Sequence, residues 1–116
     1  MTPTSKTALK PPKHLRASTR RWWISVATDW ELEAHHRHLL DLACSAWDRA
    51  AAARDRLALD GLFVEDRFGA LRAHPAVGIA RDAEVSFSRL LRELDLDVEP
   101  PQTRSSRPPS LRSVPR

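Results

Sequence analysis

The sequence predicts a mainly α-helical protein with three helices, a long central helix, and a short β-hairpin between helices 2 and 3. Three observations support this fold class. Apolar residues recur every three or four positions over three stretches, which is the period of a helix with one buried face. That period breaks between Gly61 and Pro75, where β-favouring residues occur. Only Pro75, of nine prolines, lies inside the foldable part of the chain.

The composition divides the chain into three parts: an arm of residues 1–14, a helical body of residues 15–99 and a tail of residues 100–116. Both ends are rich in proline and positive charge, with few apolar side chains. Such segments bury too little surface to offset the loss of chain entropy, so we expect both to be disordered in the free protein. The body alone provides a small core, which favours self-association.

The first helix is predicted from about residue 18 to residue 29, with Ser18 as its N-cap. Trp22, Val26 and Trp30 follow at intervals of four residues and predict an aromatic stripe on one face. Tryptophans at this spacing are more often part of a core than a platform for stacked bases.

The second helix is predicted from about residue 33 to residue 59, with Gly61 at a position of positive φ after its end. Its apolar positions alternate in steps of four and three, which is a heptad seam. A second apolar row beside this seam widens the face beyond what one partner helix covers. We therefore predict an oligomer interface of Leu39, Ala43, Ala46, Trp47, Ala50 and Ala53.

The predicted hairpin begins at Leu62-Phe63-Val64 and turns at Asp66–Gly69. His74 precedes a proline and should be extended, and Pro75 suits the first turn of a helix. The third helix is predicted to run from Pro75 to about residue 94, again with apolar positions in steps of four and three.

Charge is the strongest functional signal in the chain. All fifteen acidic residues lie between Asp29 and Glu99, whereas both ends carry only positive side chains. Flexible basic arms on a compact body suit binding to a polyanion through sequence-independent phosphate contacts. The candidate DNA-binding residues are Lys6, Lys10, Lys13, Arg16, Arg20, Arg21, Arg104, Arg107 and Arg112.

The residue types that act in catalysis or bind metals in other proteins do not form a candidate site in this sequence. We therefore expect no enzyme activity, no cofactor and no metal. Cys44, the single cysteine, lies on an apolar helix row and predicts a buried hydrophobe. His35 and His38 share a helix face, but a zinc site usually needs three or four ligands. No glycine-rich phosphate loop, signal peptide or membrane span is evident, which predicts a cytoplasmic protein.

The order of these features resembles the small subunit of tailed-phage terminases, over roughly residues 12–98. The resemblance begins with Pro12-Lys13-His14-Leu15 and the pair Trp22-Trp23. It continues through the long helix, the hairpin and the third helix. The residues that carry it there are Leu39-Leu40, Ala43-Cys44, Gly61, Gly69, His74-Pro75, Arg81-Asp82-Ala83, Phe87 and Leu90-Leu91-Arg92-Glu93-Leu94.

This resemblance implies a non-enzymatic packaging factor in the host cytoplasm. It would assemble as a homo-oligomeric ring, recognise double-stranded viral DNA and deliver it to the large terminase subunit. Some members bind DNA through an N-terminal helix-turn-helix, but the first two helices here lack a recognition helix rich in Arg, Asn and Gln.

Two other functions are compatible with the sequence. A small helical transcription regulator or antitoxin would act as a dimer and read a palindrome through a helix-turn-helix. A metal-dependent nuclease would use His35 and His38.

Overall fold

Five elements follow one another along the chain, and their order is the predicted one. In the computed structural model, which describes residues 10–96 and 98–101, helix α1 spans Ala17–Asp29, α2 spans Ala34–Asp60 and α3 spans Pro75–Leu94. Strands β1 (Phe63–Glu65) and β2 (Leu71–Ala73) lie between α2 and α3. Three helices with a hairpin between the second and third confirm the predicted fold class.

The ends of the helices follow from local chemistry. Gly61 has φ of 85° at the end of α2, a backbone conformation that glycine adopts without strain. His74 is extended as predicted, and its Nδ1 accepts a hydrogen bond from Ala76 N at 3.0 Å, which caps α3. The predicted N-cap Ser18 is wrong by two positions, because Arg16 holds the extended cap conformation and Ser18 lies within α1.

The hairpin is a two-stranded antiparallel sheet in which Phe63 pairs with Ala73 and Glu65 with Leu71. Its turn is organised by Asp66, whose carboxylate accepts hydrogen bonds from Phe68 N, Ala70 N and the Arg72 guanidinium at 2.8–2.9 Å. Gly69 supplies the positive φ of 82° that the turn requires. Most of the hairpin is exposed to solvent.

The core lies along α2, which packs against α3 over most of its length. At one end, Leu15, Trp23, Leu40, Cys44 and Leu94 join all three helices. Farther along, Phe87 covers the alanines in the middle of α2, and small residues of α3 meet the last third of α2. This order of contacts makes α2 and α3 antiparallel neighbours.

The packing corrects the predicted aromatic stripe of α1. Its buried face is formed by Thr19, Trp23 and Val26, whereas Trp22 is partly buried against Phe87. Trp30 follows the last residue of the helix and is exposed. Of the predicted stripe, which Trp23 and Ala27 widen, Val26 and Trp23 lie on the buried face and Trp30 does not.

Candidate nucleic-acid interface

Helix α1 is held on α2 by polar contacts that alternate with apolar ones. The indole Nε1 of Trp23 donates a hydrogen bond of 2.7 Å to Asp41 Oδ1. The hydroxyl of Thr19, which is almost fully buried, donates one of 2.6 Å to Asp48 Oδ1. Because both carboxylates project from the rigid α2, they fix the position of α1 along it.

The segment before α1 is anchored to the same face of α2. Leu15 is buried in the core, and His14 Nε2 lies 3.0 Å from Ser45 Oγ. The backbone N–H of Arg16 donates to Asp48 Oδ2 at 2.8 Å, so Asp48 binds the residue before α1 as well as Thr19. Between these anchors, the side chains of Arg16 and Ala17 are exposed.

The predicted DNA-binding residues of this region divide into two groups. Lys10, Lys13 and Arg21 are exposed, and no carboxylate of residues 10–96 and 98–101 forms an ion pair with them. Arg16 instead pairs with Asp55 at 3.2 Å, and Arg20 donates to the carbonyl of Leu15. The side chains of Lys10, Lys13 and Arg21 are therefore available to a polyanion, whereas Arg16 and Arg20 already have partners within the protein.

The other predicted DNA-binding residues, Lys6, Arg104, Arg107 and Arg112, lie outside the described residues. So do most of the predicted arm and tail, whose disorder stays a prediction. Near the tail, Trp22 Nε1 donates to Glu99 O at 2.6 Å, and Val98 packs against the core. The chain that leads to the basic tail therefore passes beside α1.

A shallow groove lies between α1 and residues 98–100. Arg21, Trp22, Asp29 and Trp30 line it on the α1 side. It combines two indole rings and one cation with the carboxylates of Asp29 and Glu99, so the groove itself is not basic. Sequence reasoning missed the groove because the chain returns to α1 from the far end of the molecule, which no local pattern indicates.

The predicted oligomer interface is mostly covered within one chain. Ala43 and Ala46 lie under Phe87, and Ala53 meets Ala76 and Ala80 of the same chain. Ala50 is also buried, whereas Leu39 and Trp47 are partly buried. An interface between copies at these positions stays a prediction, and four of its six residues are already buried in a single copy.

Beside the covered alanines, an open cleft remains between α2 and α3. Trp47 and Phe87 form its floor, with ring centroids 4.8 Å apart. Arg54 and Glu84 lie at its rim and form an ion pair of 2.6 Å, and Pro100 borders it. The lining is mainly apolar, and we call this site the aromatic cleft.

Comparison with known families identifies the chain. The family model described as "Phage terminase, small subunit" matches residues 20–106, about three quarters of the sequence. The chain belongs to the phage terminase small subunit family. This confirms the resemblance drawn from the residue pattern and supports a role in phage DNA packaging. No curated protein and no solved structure gave a significant match.

In this terminase small subunit, the structure gives Cys44 no catalytic character. The thiol is fully buried between α1 and α2. Burial raises the pKa of the Cys44 thiol far above its ordinary value, and the nearby carboxylates of Asp41 and Asp48 raise it further. A protonated, inaccessible thiol is a weak nucleophile, which confirms the prediction of a structural cysteine.

The histidines of the small subunit are arranged differently from the predicted pair. Within residues 10–96 and 98–101, the cluster with metal-ligand spacing is Glu33, His35 and His36, whose ligand atoms lie within 4.8 Å of one another. His38 is not part of it. The cluster is at the N-terminus of α2, where the helix dipole opposes a cation. His35 and His38, the pair of the nuclease alternative, do not share a three-residue cluster within the described residues.

The packing of α2 is also relevant to the alternative that the protein is a helix-turn-helix transcription regulator. In this small subunit, α1 covers one side of α2 and α3 covers another, which leaves one face of α2 exposed. Of the helices that the structure describes, none is long and apolar enough to cross a membrane.

Proposed function

We propose that this chain is the DNA-recognising component of a phage or prophage packaging machine, which self-associates and delivers viral DNA to the large terminase subunit. Terminase small subunits are in general non-catalytic, with the ATPase on the large subunit. The absence of a convergent catalytic cluster in the described part of the chain is compatible with this division of labour. The family match is the observation that carries the proposal.

DNA binding is supported by the distribution of charge around α1. Lys10 and Lys13, in the described part of the basic arm, and Arg21, in α1, are exposed. The donors that α1 directs at Asp41 and Asp48 are uncharged, so these carboxylates keep their charge and the proposal depends on the exposed cations.

Self-association is supported by large apolar side chains that α2 and α3 leave exposed. Those on the two helices include Leu42, Ile79 and Val85. Repeating a weak basic surface on several copies would give avidity for one DNA molecule without strong contacts from each copy. A ring of copies is the arrangement we propose, and the static light scattering of purified protein at tens of micromolar tests it.

The salt dependence of DNA binding tests the proposed interface. The triple variant Lys10→Ala, Lys13→Ala, Arg21→Ala should bind duplex DNA more weakly. The slope of log K against log salt should decrease in magnitude by about 0.9 for each phosphate that the variant no longer neutralises. The matched control is Arg81→Ala, Arg89→Ala, Arg92→Ala, which removes the same charge from the exposed face of α3.

An equal decrease of slope in both triple variants would mean that the net charge of the protein, and not the surface around α1, determines binding. A wild-type protein that forms only dimers and protects a symmetric operator, with half-sites about one helical turn apart, would instead favour the transcription regulator.

A further inference from the structure

The most exposed large apolar side chains of the described residues lie on the hairpin and at the adjoining end of α2. Phe68 is 82% exposed and Leu71 67%, and Leu62 and Phe63 are each 59% exposed. At the adjoining end of α2, Leu59 is 79% exposed. We call these five residues the apolar hairpin. Clustered exposed apolar side chains of this size mark sites of protein association.

The turn that presents Phe68 is rigid although it packs on nothing. Asp66 binds two backbone N–H groups and the Arg72 guanidinium around it, and Asp66 N donates to Ala70 O at 2.9 Å. The base of the hairpin is held by His74 N, which donates to Leu62 O at 2.7 Å. An exposed aromatic ring on an ordered turn has little entropy left to lose on binding.

The same chain carries a receptor of matching chemistry, the aromatic cleft. Its volume is about 470 Å³, whereas a cavity of about 150 Å³ already holds a benzene ring. Arg67 lies 5.3 Å from the centre of the Phe68 ring, and the rim of the cleft carries Glu84 in an ion pair with Arg54, so the cleft itself has no net charge.

A chain cannot fill its own cleft with its own hairpin. Trp47, in the floor of the cleft, precedes the end of α2 by thirteen residues, or about 20 Å of helix. The hairpin extends beyond that end, joined directly to α2 and α3. A hairpin that enters the cleft must therefore belong to another copy.

From these observations we propose that Phe68 of one copy inserts into the aromatic cleft of the next, with Arg67 beside Glu84 of that copy. This inference rests on the proposed self-association and names its contact. The contact is heterologous, so repeating it closes into a ring or continues as a filament. The two phenylalanines of the apolar hairpin can each bury about 150–250 Å², a large share of the roughly 800 Å² per partner of a stable interface.

Crosslinking between two single-cysteine variants tests the pairing. In a Cys44→Ala background, Ala70→Cys and Ser88→Cys place one thiol on the hairpin, two residues from an intact Phe68, and one on the lining of the cleft. A short bismaleimide should join the two variants when they are mixed, and should join neither efficiently with itself. Ser86→Cys, exposed on α3 but absent from the cleft lining, is the matched control for Ser88→Cys.

Efficient crosslinking of Ala70→Cys with itself would overturn the proposal in favour of a symmetric contact. Equal crosslinking with Ser86→Cys and Ser88→Cys, or crosslinking with neither, would also overturn it.

A second measurement uses charge to break the contact. Phe68→Asp should lower the mass of the assembly by light scattering at least twofold, with an unchanged circular dichroism spectrum. Ile24→Asp, at an apolar position of α1 that is 40% exposed, should leave the mass unchanged. A wild-type assembly that Phe68→Asp does not alter would contradict this contact alone, whereas a monomeric wild-type protein would contradict the proposed self-association itself.

Phe68→Asp also distinguishes between the two possible partners of the apolar hairpin, a second copy of the chain and a different protein. If Phe68→Asp keeps the wild-type assembly but loses capture by the large terminase subunit, the apolar hairpin binds that subunit and the inter-copy contact is wrong.

Discussion

At the scale of single residues, Asp48 does the most to hold α1 in place. One carboxylate oxygen accepts the hydroxyl proton of buried Thr19, and the other accepts the backbone N–H of Arg16. Asp48→Ala removes both acceptors and leaves the Thr19 hydroxyl buried without a partner. We expect a decrease of about 1–3 kcal/mol in the free energy of unfolding, measured by urea denaturation.

The matched control for this prediction is Asp55→Ala, which removes another acidic partner of the region before α1. Asp55 lies about two helical turns farther along α2. It makes an exposed ion pair with the Arg16 guanidinium, which contributes under about 1 kcal/mol. Equal decreases in the two variants would show that charge, and not the buried hydrogen bond, holds α1.

A second residue-scale prediction concerns the turn of the hairpin. The Arg72 guanidinium lowers the pKa of the Asp66 carboxyl, and the N–H groups of Ala70 and Phe68 lower it further. Because the folded pKa lies below the unfolded value, the contribution of Asp66 is fully present above the unfolded pKa, about 3.9. It is lost as the pH falls through the folded pKa.

Hydrogen exchange and amide chemical shifts between pH 6 and pH 2 measure this effect. We expect the amides of Phe68 and Ala70 to lose protection in the acid range before those of the α2–α3 core. In Asp66→Asn the side-chain oxygen still accepts these hydrogen bonds but does not titrate there, so the pH dependence of the two amides should disappear. A wild-type profile retained in Asp66→Asn would refute the assignment to Asp66.

At the scale of helices and strands, the alanines of α2 are explained by a close partner helix. Small side chains let two helix backbones approach, and α3 supplies Ala76 and Ala80 at the same interface. The structure shows that this approach occurs within one chain. The large apolar side chains that remain exposed are on the hairpin and at scattered positions of the helices such as Leu42, Ile79 and Val85, not along the seam.

Replacing Ala46 by leucine tests the packing of this interface. Ala46 is 1% exposed and lies against Phe87, so the larger side chain should overpack the interface and cost about 1–3 kcal/mol in the free energy of unfolding. Ala52→Leu, at an exposed position of the same helix, should change it by less than about 0.5 kcal/mol. If Ala46→Leu disrupts assembly without destabilising the chain, the seam lies between copies after all.

The helices and the hairpin were predictable because they depend on local periodicity and on turn chemistry. The third helix was predictable to its last residue, since Pro75 and the apolar spacing define it. The partner of the seam was not predictable, because periodicity indicates which face of α2 is apolar and not which helix covers it. Asp41 and Asp48 were missed as structural residues because a carboxylate on a helix usually indicates a solvated face.

The candidate site was predictable only in part for the same reason. Clustered charge predicted the basic residues before α1, and the structure leaves Lys10, Lys13 and Arg21 exposed. The groove beside Trp22 and the aromatic cleft depend on residues 98–100, which return to α1 and α2 from the other end of the body. Contacts at such sequence separation leave no mark on local composition.

At the scale of the whole molecule, the described core and most of the proposed DNA-binding cations of the two ends lie on different parts of the chain. The core contacts lie within residues 10–101, whereas five cationic side chains lie outside them: Lys6, Arg104, Arg107, Arg112 and Arg116. A protein trimmed to residues 10–101 should therefore keep its free energy of unfolding to within about 0.5 kcal/mol. Its affinity for duplex DNA should fall, and the salt slope should decrease by about 0.9 for each phosphate that the removed cations neutralise.

Two further proteins make this separation of roles testable, one lacking only residues 1–9 and one lacking only residues 102–116. Urea denaturation and fluorescence-anisotropy titrations at several salt concentrations, on all three and on the full chain, compare stability with DNA binding. The protein without residues 102–116 lacks four of the five cations and should show most of the reduction in slope. A trimmed protein with full affinity would place the DNA contacts on the body alone, around Lys10, Lys13 and Arg21.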